Sequence, residues 1–142
     1  MTINKPYIKA ISLLMICTGI IIFSSCSKKI TLTNTGISPA AKAYVKIKKN
    51  NNNNYAVHLK VNHLAPSSKL NPPKKSYVVW MVTDNNGTKN IGQFQSGKGF
   101  LSKALKGSIE TITPFKPVDF FITAEDDAAI NYPGNMIILK SN

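Results

Sequence analysis

The chain has 142 residues, room for one domain of ordinary size. Lysine is its only strong base, and 18 basic residues against 6 acids give a net charge of +12. Two cysteines and two histidines exclude a disulfide-stapled scaffold and a cysteine-rich zinc module, and the length excludes a multidomain enzyme.

The N-terminus reads as an address. Lys5 and Lys9 precede an almost unbroken apolar run at residues 10–23. As a helix such a run spans ~21 Å, short of the ~30 Å hydrocarbon core. That length favours a signal-peptide core over a permanent transmembrane helix. Ser24 and Ser25 then stand directly before Cys26.

Phe23-Ser24-Ser25-Cys26 resembles the lipobox of bacterial lipoprotein signal peptides, with Phe23 in place of the commoner Leu. The resemblance implies cleavage before Cys26, a diacylglyceryl group on its sulfur and acylation of the new amino group. Residues 1–25 are then the signal peptide. Ser27, rather than Asp, after the lipidated residue looks like export to the outer membrane of a two-membrane cell. Two or more acyl chains hold a protein stably where one does not. Lys28 and Lys29 would add attraction to an anionic surface. Cys17 leaves with the signal and Cys26 is consumed by lipid, so no thiol remains for a disulfide. Sixteen lysines against six acids leave the processed chain at +10.

Residues 27–41 are rich in Ser, Thr, Asn and Lys, with Gly36 and Pro39 and no sustained period. We read residues 26–41 as lipid anchor and flexible tether, reaching at most ~50 Å. The folded domain is expected over residues 42–142.

Within it the hydrophobic period is two. Ala43, Val45 and Ile47 alternate with Tyr44, Lys46 and Lys48, and Val57, Leu59 and Val61 alternate with His58, Lys60 and Asn62. These patterns predict half-buried strands with a polar outer face. Asn tolerates left-handed backbone angles, so residues 50–54 are expected to form the hairpin loop between them. Residues 65–76 hold Pro66, Pro72 and Pro73 and read as a long loop, either a crossover between sheets or a binding loop, with crossover favoured. Residues 77–82 are apolar on both faces, as a central strand requires. Asn86-Gly87 predicts a two-residue turn that pairs Asp84 with Lys89, Val82 with Ile91 and Val79 with Phe94. Further strands are expected at 100–106, 108–112, 118–125 and 136–140. About seven short strands without an amphipathic helix predict an all-β, antiparallel, Ig-like β-sandwich.

Two segments are similar to the extracytoplasmic C-terminal domain of anti-sigma-K factors. One carries Tyr77, Trp80, Gly87 and Ile91-Gly92-Gln93-Phe94; the other carries Ile122-Thr123-Ala124-Glu125, Pro133-Gly134 and an apolar strand over 136–139. Asp126-Asp127 departs from that family's Pro-Gly-Gly type of loop, and its sigma-binding and membrane-spanning helices are not found in this chain. The resemblance therefore implies a shared outer module with a sensing or contact role, not a sigma-factor binder.

Candidate chemistry is sparse. On one straight strand His58 and His63 point to opposite faces, His58 with the polar residues and His63 with Val57, Leu59 and Val61. A joint metal site would need a bulge and further ligands, and a blue-copper centre would need a thiolate. Glu125-Asp126-Asp127 reads as turn acids or lysine partners, since a calcium loop pattern is missing. We expect no catalytic residues, no metal and no cofactor. Lack of Arg and of interleaved aromatics argues against nucleic acid as a partner. The expected partners are the membrane, through lipidated Cys26, and an anionic envelope polymer or an envelope protein.

Overall fold

A computed structural model describes residues 27–95 and 105–142. They form eight strands: β1 (Ser27–Asn34), β2 (Lys42–Lys49), β3 (Tyr55–Leu64), β4 (Ser76–Thr83), β5 (Thr88–Gln95), β6 (Leu105–Thr113), β7 (Pro117–Glu125) and β8 (Ile137–Ser141). One short 3-10 turn, Ser67–Lys69, lies between β3 and β4. The strands run antiparallel in a single sheet of order β5-β4-β7-β8-β1-β2-β3-β6. The sheet curls until its two edges meet. A Cβ on Gly92 of β5 would stand 2.9 Å from Ile109 of β6, and one on Gly107 of β6 would stand 2.5 Å from the Phe94 ring. The result is a nearly closed, sandwich-like barrel.

Period-two patterning fills the interior. Val45, Val57, Leu59, Val61, Tyr77, Val79, Phe120, Ile122, Ile138 and Leu139 are buried in one cluster. At ~25 cal/mol per Å² of apolar surface removed from water, burial on this scale is the main term holding the sheet curled. Tyr77 reaches across it, its hydroxyl donating to the Ala65 carbonyl at 2.7 Å.

Of the expected tether, residues 27–34 are instead β1. It lies between β2 and β8, with Ser27 opposite Lys48, Ile30 opposite Val45 and Leu32 opposite both Ala43 and Ser141. Ile30 and Leu32 face inward, and Leu32 is 2 % exposed. Inward residues two apart, separated by β-prone threonine, form a strand even in a polar segment.

β4 is buried on both faces, as its sequence requires. Tyr77, Val79 and Met81 enter the main core. Val78 and Trp80 point the other way, where Trp80 stands opposite Phe121 on β7 and Asn90 on β5. Trp80 stacks on Phe121 and donates its indole N–H to Thr123 Oγ1 at 2.8 Å. Asn90 Nδ2 donates to the Ala128 and Ile130 carbonyls, drawing the β7–β8 connection over this side.

The β4–β5 register differs from the expected one. Val82 pairs with Thr88, Trp80 with Asn90 and Tyr77 with Phe94, with a bulge between Val79 and Trp80. Thr83 is responsible at the turn. Its N–H and hydroxyl both donate to the Gly87 carbonyl, and its Oγ1 accepts from Asn86 N–H, closing a longer loop. Of the strand expected at 100–106, residues 100–104 lie outside the described residues, and the rest belongs to β6, which runs unbroken through Gly107. Residues 65–75 carry the chain from β3 to β4, which are separate strands of one curled sheet and not of two sheets as expected. Asn53 takes the left-handed angle expected in the Asn loop, φ 61°.

Two substitutions test this packing. Leu32→Ala is expected to cost about 2–5 kcal/mol, read by urea unfolding through the fluorescence of Trp80, the single tryptophan; an unchanged midpoint would mean that β1 does not belong to the core. Burial pushes the Tyr77 hydroxyl up from 10.0 to about 12. Folding thus favours the neutral phenol, whose contribution is full below about pH 10 and lost as pH rises through about 12. Tyr77→Phe is expected to lose about 1 kcal/mol at neutral pH with its hydrogen bond, and to show a shallower stability loss between about pH 10 and about pH 12 than the native chain.

Candidate functional site

The layer β1-β2-β3-β6 turns one face to the core and the other to water. Alternation on these strands places Lys29 on β1, Lys42, Tyr44, Lys46 and Lys48 on β2, His58 and Lys60 on β3 and Glu110 and Ile112 on β6 on the outer face. Register sets them in rows. Lys29, Lys46, His58 and Glu110 lie across from one another, and Ser27, Lys48, Ala56 and Ile112 form the next row toward the β2–β3 hairpin. Glu110 is the one carboxylate on the described part of this face, and it sits 3.4 Å from His58 Nε2. The face is therefore strongly basic.

Two of the neighbouring lysines are held by aromatic rings. Lys29 Nζ lies 5.1 Å from the centre of the Tyr44 ring, and Lys49 Nζ lies 5.8 Å from that of Tyr55. Such contacts position an ammonium at modest energy, about 0.5–1 kcal/mol at exposed sites. Ile112 is 68 % exposed at the end of the face. Between Ile112, Ala56 and the lysines lies an open groove of 790 Å³, lined also by Ser27, Lys46, Lys48, His58 and Glu110. Ammonium groups above an apolar floor suit an anion that carries an apolar or ring-shaped body.

The histidines fall apart in space. His58 keeps the outer-face position expected for it. His63 does not join Val57, Leu59 and Val61: a bulge after Val61, with His63 at φ 57°, sends Leu64 into the core and leaves His63 exposed. Among the described residues no group of three or more His, Cys, Asp or Glu side chains is placed to hold a metal ion.

The acidic cluster 125–127 is dispersed into local contacts. Glu125 is buried and accepts the Gly134 N–H at 2.8 Å, Asp126 pairs with Lys74 at 2.7 Å, and Asp127 accepts the Ala129 N–H at 2.9 Å. Asp84 meets Lys116 at 3.5 Å. These carboxylates fix loops, and two of them neutralise lysines away from the basic face. Cys26, the residue expected to carry lipid, lies outside the described residues. The contribution of β1 to the site, through Ser27 and Lys29, is not legible in a segment read as a tether; the alternation of Ile30 and Leu32 is the signal that would reveal it.

Because Ile112 faces water, Ile112→Ser is expected to change stability by no more than about 0.5 kcal/mol in urea unfolding; a larger loss would show that the side chain is covered. Comparison with family models, with curated proteins and with solved structures finds no match to this chain.

Proposed function

We propose that this is a lipid-anchored protein of the bacterial cell envelope, acylated at Cys26, whose β-domain binds or scaffolds and does not catalyse. Its partner is an anionic envelope polymer. The observation that carries the binding half of this reading is the outer face of β1-β2-β3-β6, where Lys29, Lys42, Lys46, Lys48 and Lys60 share one surface with a single carboxylate. The lipobox-like ending of the apolar N-terminal run carries the anchoring half. A non-catalytic role is supported by the carboxylates, which are engaged in loop contacts rather than gathered in a cleft.

We also read the domain as an Ig-like sandwich with one added strand. With β1 set aside, the remaining order splits into β2-β3-β6 and β8-β7-β4-β5. These correspond to strands A-B-E and G-F-C-C′ of that architecture. Trp80 lies on the strand equivalent to C, but on the outer side of its layer rather than between the layers.

A second reading, an extracytoplasmic sensory module related to anti-sigma-K factor C-terminal domains, is supported by how the resembling segments meet. Trp80 of the first bonds Thr123 of the second, and within the second Glu125 holds Gly134. That reading predicts a protein partner and a transcriptional change on deletion, where the first predicts polymer binding.

The test uses the native acylated protein and purified anionic envelope polysaccharide, with a neutral polysaccharide as control. Binding is expected to fall roughly tenfold between about 0.05 and about 0.3 M salt. Lys42→Glu with Lys60→Glu is expected to weaken it by a similar factor. Equal binding to the neutral polymer would overturn the polyanion reading. Intact mass without acyl chains, or unchanged membrane association of Cys26→Ser, would overturn the anchor.

A further inference from the structure

β1 starts at Ser27, one peptide bond after Cys26. Ser27 is already in register with Lys48. No slack remains between the attachment residue and the sheet. The layer must therefore enter the membrane surface region at the end where β1 begins.

Antiparallel order fixes what lies at that end. β2 finishes there at Lys49 and β3 begins there at Tyr55, so the Asn-rich hairpin 50–54 belongs to it, as does the turn between β6 and β7. The crossover 65–75, which leaves the finish of β3, lies at the opposite end. Lys28, Lys29, Lys46, Lys48 and Lys49 are exposed within the first residues of β1 and the last residues of β2. Ile112 is exposed beside them, and the groove opens at Ser27. Glu110 is the nearest opposing carboxylate, and it is directed to His58.

We propose that the domain sits directly on the bilayer to which Cys26 is attached, and that the groove at Ser27 receives the phosphate headgroup of an anionic phospholipid. Lys46 and Lys48 meet the phosphate, and Ile112 lies toward the acyl boundary. This rests on the acylation of Cys26 proposed above. Charge complementarity and the position of the anchor both select this occupant: a covalent anchor holds the basic end at the headgroup level, where juxtamembrane lysines are attracted to anionic lipid. The lysines farther along the strands, Lys42 and Lys60, are left to face outward.

The test places the acylated full-length protein in vesicles of phosphatidylcholine alone, or with about a third phosphatidylglycerol to supply the anionic surface potential. Asn52→Cys and Ser68→Cys, both exposed and at opposite ends, carry a fluorophore, and a headgroup-attached quencher reports proximity. In anionic vesicles the label at 52 is expected to be quenched several-fold more than the label at 68. Lys46→Glu with Lys48→Glu is expected to bring that difference down to its value in phosphatidylcholine alone, which the anchor sets, while Trp80 emission shows an intact fold. Equal quenching at 52 and 68 in protein whose mass shows acylated Cys26 would overturn the seating and leave the anchor standing. A difference unchanged by anionic lipid, or by the two lysine substitutions, would overturn headgroup recognition. Protein without acyl chains would overturn both readings together.

Discussion

The pairing of β1 with both β2 and β8 is the constraint on which the architecture rests. Without it, β2 and β8 would each present an unpaired edge, and the three-stranded β2-β3-β6 and four-stranded β5-β4-β7-β8 would share a core but no strand pairing. With it, backbone hydrogen bonding runs from β5 to β6 through all eight strands. β1 also brings Ile30 and Leu32 to the core and Lys29 to the outer face. One strand thus closes the fold, adds to its interior and extends its basic surface.

The rest of the molecule divides its two layers by chemistry. In one layer the central strand β4 is buried on both faces, with Trp80 stacked on Phe121 and Asn90 beside it tethering the β7–β8 connection. The β2-bearing layer is wet on its outer side and carries the lysines. Apart from Glu110, the described part of that face has no acid, and carboxylates elsewhere engage Lys74, Lys116 and loop amides. Surplus charge is therefore concentrated on one face and not spread evenly, which is what gives a basic protein a directed surface.

Strands whose two faces differ were legible in the sequence. Val45 and Ile47 against Lys46 and Lys48, or Val57 and Leu59 against His58 and Lys60, state which side is buried without reference to any partner. β4 was legible for the opposite reason, since only a strand covered on both sides can carry Val78 and Trp80 as well as Val79 and Met81. β1 was hidden because its inward residues are few and its partner β8 lies more than a hundred residues away. Local pattern carries no record of a pairing at that distance. The β4–β5 register was misread because a side chain, Thr83, closes the turn, and because Ile91 is bulged where Val79 pairs with Gly92 and Trp80 with Asn90. His63 was misplaced by a similar bulge. Of the basic face, the β2 and β3 rows were visible as the polar half of an alternation. Their union with Lys29 and Ile112 depends on registers that only the folded sheet sets.

The most direct measurement is amide hydrogen exchange across residues 28–34 in the native protein. If β1 is an integral strand, these amides are protected to the same degree as those of β2 and β8, because they open only when the sheet opens. Exchange at the rate of unstructured chain, with β2 and β8 still protected, would contradict this. It would return residues 27–34 to the role of a tether.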